Sequence, residues 1–219
     1  MTPVNHLVIF ARAPQRGAVK RRLAADIGAG AAYRFYRYTL HEILVIVAND
    51  ARWRTWLAVT PDSAAGGRLA GLFAGPLFGV SNVPRIPQNG GNLGVRMARP
   101  LSRPGRPGAL SHGPVVIIGS DIPAIAPAHI ARAFAALGDH DFVFGPAADG
   151  GYWLVGARRR PAVPAGLFEA VRWSTPHALA DTLAGLPRSA RVAMLDTLDD
   201  VDDGAAWARW RVRRGITSA

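Results

Sequence analysis

The run Val115-Val116-Ile117-Ile118, cut off at once by Gly119-Ser120-Asp121-Ile122-Pro123, constrains this chain more than any other stretch. Four consecutive β-branched residues between Gly and Pro fit a strand buried on both faces, as in a parallel sheet covered by helices. Ligands of open α/β sheets collect just beyond the carboxyl ends of such strands, and Asp121 stands there. A second unit follows. The apolar residues up to Phe144 end at Gly145-Pro146, and Asp149-Gly150-Gly151-Tyr152 leads into Trp153-Leu154-Val155. Two strand ends, each followed by an acidic residue in a turn, are expected to share one rim. Hard oxygen ligands at that rim suit Mg2+ or Mn2+ carrying a diphosphate.

The first apolar run, Leu7-Val8-Ile9-Phe10, precedes a loop containing Gly17, and Ala18 opens an expected helix that stops near Gly28. A Gly-containing loop between a strand and a helix N-terminus is a natural anion site, because backbone N–H groups and the helix dipole point at the ligand. Arg12, Arg16, Lys20 and Arg22 add side-chain charge. Basic residues are unfavourable at a helix N-terminus unless an anion offsets them, which favours a binding role over an ordinary connection. Lys20 is the only lysine among 26 basic residues. An ammonium kept where Arg is used everywhere else suggests a need for a compact point charge. The loop is neither of the two common glycine-rich phosphate motifs, and Gly28-Ala29-Gly30 follows a helix rather than a strand.

Apolar residues at 32, 35, 36, 40, 43, 44 and 47 recur at helical spacing, with Tyr33 and Tyr38 taken as packing groups. Residues 56–60 predict a second strand, 66–79 a weak helix, and 80–86 an edge strand containing Pro84. Asn92 is placed to cap a helix reaching Arg99. Residues 102–113, rich in Pro, Gly and Arg, predict a mobile surface loop. Residues 127–137 predict a helix with Pro127 in its first turn. Thr175 as N-cap with Pro176 at the first helical position predicts another helix to 186. Residues 191–195 predict a last strand, before the acidic cluster Asp199-Asp200-Val201-Asp202-Asp203 and a terminal helix over 207–214. Trp173 lies near enough to the rim to cover a sugar or base face.

With 219 residues, 49% of them hydrophobic, the chain can bury a large core, and a single domain over 1–219 is expected. No window approaches the roughly 20 apolar residues of a membrane span, so no stable membrane association is expected. The absence of cysteine excludes disulfides, thiolate metal sites and a Cys nucleophile. With no signal-like N-terminus, a cytoplasmic location follows as the expectation. The formal charge of +11 invites a nucleic-acid reading, but the arginines are dispersed and no base-stacking module is evident, so no nucleic-acid partner is expected. The six histidines show no zinc-like spacing, His129 and His177 are expected on the surface, and no G-x-S-x-G elbow is present.

Taken together, Phe10-Ala11-Arg12-Ala13-Pro14 with Gly17 and Val19-Lys20, Leu93-Gly94 with Arg96-Met97, Gly119 to Pro123, Gly145-Pro146 with Asp149 to Tyr152, Phe168, Trp173-Ser174-Thr175, and Leu198 to Asp202 resemble the bacterial DUF2064 family. That family is one of glycosyltransferase-A-type nucleotide-diphospho-sugar transferases, more distantly similar to molybdenum-cofactor guanylyltransferases. The resemblance implies an α/β fold, a three-layer α/β/α Rossmann-like (GT-A) arrangement with a mainly parallel sheet. It implies that Arg12, Ala13, Pro14, Gly17, Lys20 and Arg22 cradle the diphosphate. Gly94, Ser120, Gly150, Gly151, Tyr152 and Trp173 then belong to the nucleotide site, in which Asp149 to Tyr152 face the transferred or accepting group, and Asp121 belongs to the metal. Either Asp200 or Asp202 completes the metal's coordination, and Asp202 is taken for that role. Asp149 and Lys20 are the expected catalytic residues. The chain departs from the family at Arg21, where Thr is usual, at Asn92 for Asp, and at Val95 for Glu.

Four functions compete at this stage. The favoured one is metal-dependent glycosyl transfer from a nucleotide-diphosphate sugar to a small-molecule or lipid acceptor. The second is nucleotidyl transfer, joining an NTP to a phosphorylated small molecule with release of pyrophosphate. A nucleotide-binding protein without turnover is the third, motivated by Asn92 and Val95. Nucleic-acid binding, resting on net charge alone, is the fourth. The sequence leaves the oligomeric state open.

Overall fold

The computed structural model describes residues 3–66, 70–73 and 83–215. Among these residues seven strands form one sheet: β1 His6–Arg12, β2 Arg54–Thr60, β3 Arg85–Pro87, β4 Val115–Gly119, β5 Phe142–Pro146, β6 Tyr152–Ala157 and β7 Val192–Met194. Their order is β3-β2-β1-β4-β6-β5-β7. Strand β1 pairs in parallel with both β2 and β4, β3 with β2, and β7 with β5, while β6 runs antiparallel to both of its neighbours. The helices are α1 Arg21–Ile27, α2 Ala29–Val47, α3 Ser63–Gly66, α4 Leu93–Leu101, α5 Pro127–Asp139, α6 Ala178–Ala184 and α7 Gly204–Arg213, with a 3-10 turn at Ala70–Phe73.

The apolar run in β4 is continuous because both faces of the sheet are covered. Val116 and Ile118 pack with Leu40, Ile43 and Leu44 of α2 and Ile130, Ala133 and Leu137 of α5. Val115 and Ile117 face the other way, towards Met97 and Leu101 of α4 and towards Leu167 and Phe168. Each such buried side chain contributes about 1.5–3 kcal/mol relative to exposure. This is the expected three-layer α/β/α arrangement with a mainly parallel sheet. A third cluster joins Leu23 of α1, Ala32 and Phe35 of α2 and Val201, with Trp207 and Trp210 of α7 packed on it. It brings the acidic segment near the chain's end against the helix that follows the first loop.

The direction of β6 fixes the position of the second acidic turn. Because β6 is antiparallel to β4, with Ile118 opposite Leu154, it begins at the rim where β4 ends. The turn joining β5 to β6 therefore lies beside Asp121. Strand order reverses between β1 and β4, so the crevice beyond their carboxyl ends opens at the same rim.

Several sequence expectations are corrected. Helix α6 begins at Ala178, not Pro176, and its N-cap is His177, which makes no side-chain cap bond. Thr175 does not cap it: its hydroxyl donates to the Arg172 carbonyl and accepts from the His177 N–H. The loop over 102–113 is tied near its far end. Buried Arg159, just beyond β6, donates to the carbonyls of Leu110 at 3.0 Å and Ser111 at 2.8 Å. The latch lies at the end of β6 opposite Tyr152, away from the rim. His129 is only 16% exposed, accepts the Ala126 N–H through Nδ1 and meets Trp153 edge-on. The expected strand over 80–86 is seen as edge strand β3. Its residues 80–82, and residues 67–69 and 74–79 of the expected weak helix, lie outside the described residues.

Part of the arginine excess has a packing role. Arg52, Arg54 and Arg211 lie over the rings of Trp53, Trp56 and Trp207 at 4.5–4.9 Å, where cation–π attraction and stem burial favour Arg. No helix among the described residues is long and apolar enough to cross a membrane.

His6 opens β1 as a buried neutral imidazole. Its Nδ1 accepts from Trp56 Nε1 at 3.1 Å, and its Nε2 lies 3.1 Å from Ser111 Oγ. Burial, then the charges of Arg159 and Arg54, push its pKa down to about 4. The unfolded chain therefore takes up a proton before the folded one does, so stability is complete above about pH 6.5 and falls towards pH 4, by roughly 3 kcal/mol in the limit. Urea unfolding at pH 7 and pH 4.5 should show this loss, and His6→Gln should lack that component.

Candidate active site

The loop after β1 is closed from below by a residue that sequence analysis placed only in the apolar face of α2. Tyr36 is fully enclosed, and its hydroxyl accepts the Arg12 N–H at 2.9 Å and donates to the Arg12 carbonyl at 2.7 Å. Ser120 Oγ, from the turn after β4, lies 3.4 Å from the same hydroxyl. Burial above all raises the Tyr36 pKa to about 12, so it remains a neutral donor. One phenol thus ties together the two loops that flank the crevice.

Lys20 does not sit in the first turn of α1 as expected. It is the N-cap, in the left-handed region at φ 48°, ψ 51°. That conformation costs a non-glycine residue on the order of 1–3 kcal/mol and persists only where the surroundings impose it. Here two ion pairs do so: Nζ lies 2.7 Å from Asp121 Oδ2 and 2.8 Å from Asp202 Oδ1, with the Lys20 side chain only 4% exposed. Burial opposes the charge, but the two carboxylates together outweigh it and hold the ammonium above the ordinary lysine range.

Carboxyl oxygens of Asp121, Asp200 and Asp202 lie within 4.8 Å of one another. The set joins the end of β4 to the segment that Val201 anchors on α1 and α2. Burial, then the charge of Asp121, opposed by Lys20 and reinforced by Asp202 and Asp149, lifts the Asp200 pKa to about 6. Three carboxylate oxygen donors gathered in one place, two of them on one ammonium, are of the kind Mg2+ and Mn2+ take, so the donor set fits such an ion.

A cavity of about 220 Å³ opens beside this cluster. Asp121, Asp149 and Asp200 line it, with Gly151, Tyr152 and Trp173 from the sequence-based expectation. Sequence analysis did not single out Phe10, Leu93 and the buried part of Met97 for it, since each reads as core. Asp149 sits in an exposed turn where its Oδ1 accepts the Gly151 N–H at 2.9 Å. Tyr152 and Phe168 pack against the indole of Trp173, whose Nε1 is buried without a hydrogen-bond partner.

The remaining expected residues fall elsewhere. Ala13 and Pro14 are buried, Ala13 N donating to the Thr60 carbonyl at 2.7 Å. Gly17 has φ +79° and open space where a side chain would stand. Arg12 is exposed, its guanidinium 3.4 Å from the Ala18 carbonyl. Arg22 is 75% exposed and 3.6 Å from Asp202. Gly94 and Gly150 have packing reasons: a Cβ at Gly94 would come within 2.6 Å of Phe168, and one at Gly150 within 2.2 Å of the Pro176 carbonyl. Asn92 caps α4, its Oδ1 accepting the Val95 N–H at 2.9 Å, which gives that departure from the family a structural role.

Tyr36→Phe should lower stability by about 1–3 kcal/mol, because the partly buried Arg12 peptide loses both partners. Urea denaturation checks it, and a loss below about 0.5 kcal/mol would show that the phenol is not what holds the loop.

Known structures share the fold. A structure from Desulfovibrio desulfuricans G20, described as a candidate nucleotide-diphospho-sugar transferase, superposes with TM-score 0.79 at 24% identity, covering 97% of this chain and 96% of that one. The 4-diphosphocytidyl-2C-methyl-D-erythritol synthase of Anaerococcus prevotii DSM 20548 gives TM-score 0.59 at 9% identity over 97% and 99%. Glucosyl-3-phosphoglycerate synthase of Mycobacterium tuberculosis, with Mn2+, UDP and glucosyl-3-phosphoglycerate, gives 0.53 at 13% identity over 99% and 82%. These likenesses establish the fold of nucleotide-diphospho-sugar transferases. No curated protein matches the chain. The model of the DUF2064 family, described as an uncharacterized protein conserved in bacteria, matches residues 43–175, and the chain belongs to that family.

Proposed function

We propose that this chain is a divalent-metal-dependent transferase that moves a sugar from a nucleotide diphosphate to the hydroxyl of a small molecule. The observation that carries the reading is the gathering of Asp121, Asp200 and Asp202 at the switch point of the sheet, two of them, Asp121 and Asp202, paired with Lys20, beside a cavity that Asp149 also lines. Fold likeness to transferases that handle nucleotides supports it.

In this reading Asp121, Asp202 and Asp200 hold Mg2+ or Mn2+. When bound, such an ion stabilises the negative charge that develops on a departing diphosphate. Lys20 serves two states. Without ligand its ammonium neutralises the carboxylates, as a cation tethered where a free one would sit. With the donor bound, the phosphate oxygens over the 12–20 loop offer it new partners, and Arg12 and Arg22 add charge from the exposed side. Tyr36 and Ser120 keep that loop and the Asp121 turn in register. Asp149, with Oδ1 held by the Gly151 N–H, has its other oxygen free to take the acceptor's proton. Trp173 and Tyr152 form the wall against which the transferred group or acceptor rests.

Nucleotidyl transfer is the second reading, favoured by the likeness of fold to a CMP:2-keto-3-deoxy-manno-octonic acid synthetase bound to CTP, with TM-score 0.56 and 10% identity. The same cluster and basic loop serve either reaction.

Calorimetric titration with a panel of nucleotide-diphosphate sugars and free NTPs, each with and without Mn2+, tests the proposal. One nucleotide-diphosphate sugar should bind in a Mn2+-dependent way, and Asp121→Asn should weaken it by more than about tenfold, or 1.4 kcal/mol. Preference for an NTP with pyrophosphate release would favour the second reading. Binding indifferent to Mn2+ and to Asp121→Asn would count against both.

A further inference from the structure

The chemistry of the cavity beside the acidic cluster narrows the kind of molecule it can hold. Its wall from Phe10, Leu93 and Met97 to Tyr152 and Trp173 is apolar or aromatic. Asp121, Asp149 and Asp200 are its ionisable acids, and among the described residues no Lys, Arg or His lines it. In a chain with 26 Lys and Arg against 15 Asp and Glu, this is a place kept clear of cations. The nearby ammonium, Lys20, is already shared by Asp121 and Asp202.

Charge complementarity then selects the occupant. A phosphate or carboxylate in the cavity would lose its water and face carboxyl groups with no counter-charge on the wall, a cost of several kcal/mol per buried ion. A divalent ion on the aspartates would offset part of this, but a donor's diphosphate restores the negative charge. A neutral ring pays no such penalty, gains apolar burial, and gains aromatic contact with Tyr152 and Trp173.

We propose that this cavity takes the acceptor as a neutral alcohol on an aromatic or alicyclic body, its hydroxyl turned to Asp149, and discriminates against phosphorylated or carboxylated molecules. The inference rests on the transferase reading only in naming the occupant an acceptor. The step it implies is balanced. The alcohol oxygen forms a bond to the anomeric carbon of the sugar while the bond from that carbon to the diphosphate oxygen breaks. The nucleoside diphosphate leaves with the bonding pair, and the hydroxyl proton passes to the Asp149 carboxylate.

The test titrates the whole chain, without nucleotide, with 4-methylphenol, cyclohexylmethanol and 4-methylphenyl phosphate, observed by ligand NMR and calorimetry. The two alcohols should bind, and the phosphate ester should bind at least about tenfold more weakly. Trp173→Ala should weaken the alcohols. Leu93→Arg, which puts a guanidinium on the wall, should narrow or invert the preference, and it keeps the test open if the Trp173 variant does not fold. Equal or tighter binding of the ester to the native protein, or binding of neither class, overturns the proposal. Mn2+-dependent nucleotide-sugar binding, measured on the same samples, separates the two readings. If it persists while the ester is preferred, the acceptor chemistry alone is wrong. If it is absent while the alcohols are preferred, the transferase reading falls and the ligand class of the cavity is supported.

Discussion

One buried ammonium joins parts of the chain that are far apart in sequence. Lys20 precedes α1, Asp121 follows β4, and Asp202 precedes α7, yet the three meet within hydrogen-bond distance with the lysine almost wholly enclosed. A buried ion pair is weak evidence of net stability, because desolvation offsets much of the attraction. Its significance is geometric. It holds Lys20 in a left-handed conformation, fixes the start of α1, and keeps carboxylates that would otherwise repel each other within a few ångströms. Removing the ammonium without a replacement leaves a concentration of negative charge, and a divalent ion is the natural replacement.

The sheet makes that meeting possible. A wholly parallel sheet would carry the segment after β5 to the far end before returning, whereas antiparallel β6 starts at the same rim at which β4 finishes. The turn bearing Asp149 thus faces the turn bearing Asp121. Tyr36 supports the arrangement from beneath by holding both polar groups of the Arg12 peptide, and α7 presses Val201 onto α1 and α2, which sets the height of Asp200 and Asp202.

Much of this was legible in the sequence where the signal is local. The run ending at Ile118 announces a doubly covered strand and places Asp121 at its end, and Asn92 announces the start of α4. A lone lysine in an arginine-rich chain drew notice for its charge. What escaped was non-local. Nothing near Tyr36 indicates that its hydroxyl closes a loop 24 residues away. The cavity wall adds Phe10 and Leu93, from separate segments that each look like ordinary core, to the Trp173 already expected at the rim. The start of α6 was misplaced because Thr175-Pro176 satisfies the local pattern of a helix start, while packing of Pro176 on Gly150 decides otherwise.

On the proposed reading, the Lys20 ammonium stands where a free cation would bind. Manganese binding followed by electron paramagnetic resonance, in the absence of nucleotide, on the native protein and on Lys20→Ala tests it directly. Tighter Mn2+ binding by the variant is the predicted result, since the ion no longer has to displace a tethered charge. Equal or weaker binding would contradict the account and leave Lys20 as a structural counter-ion with no part in the exchange.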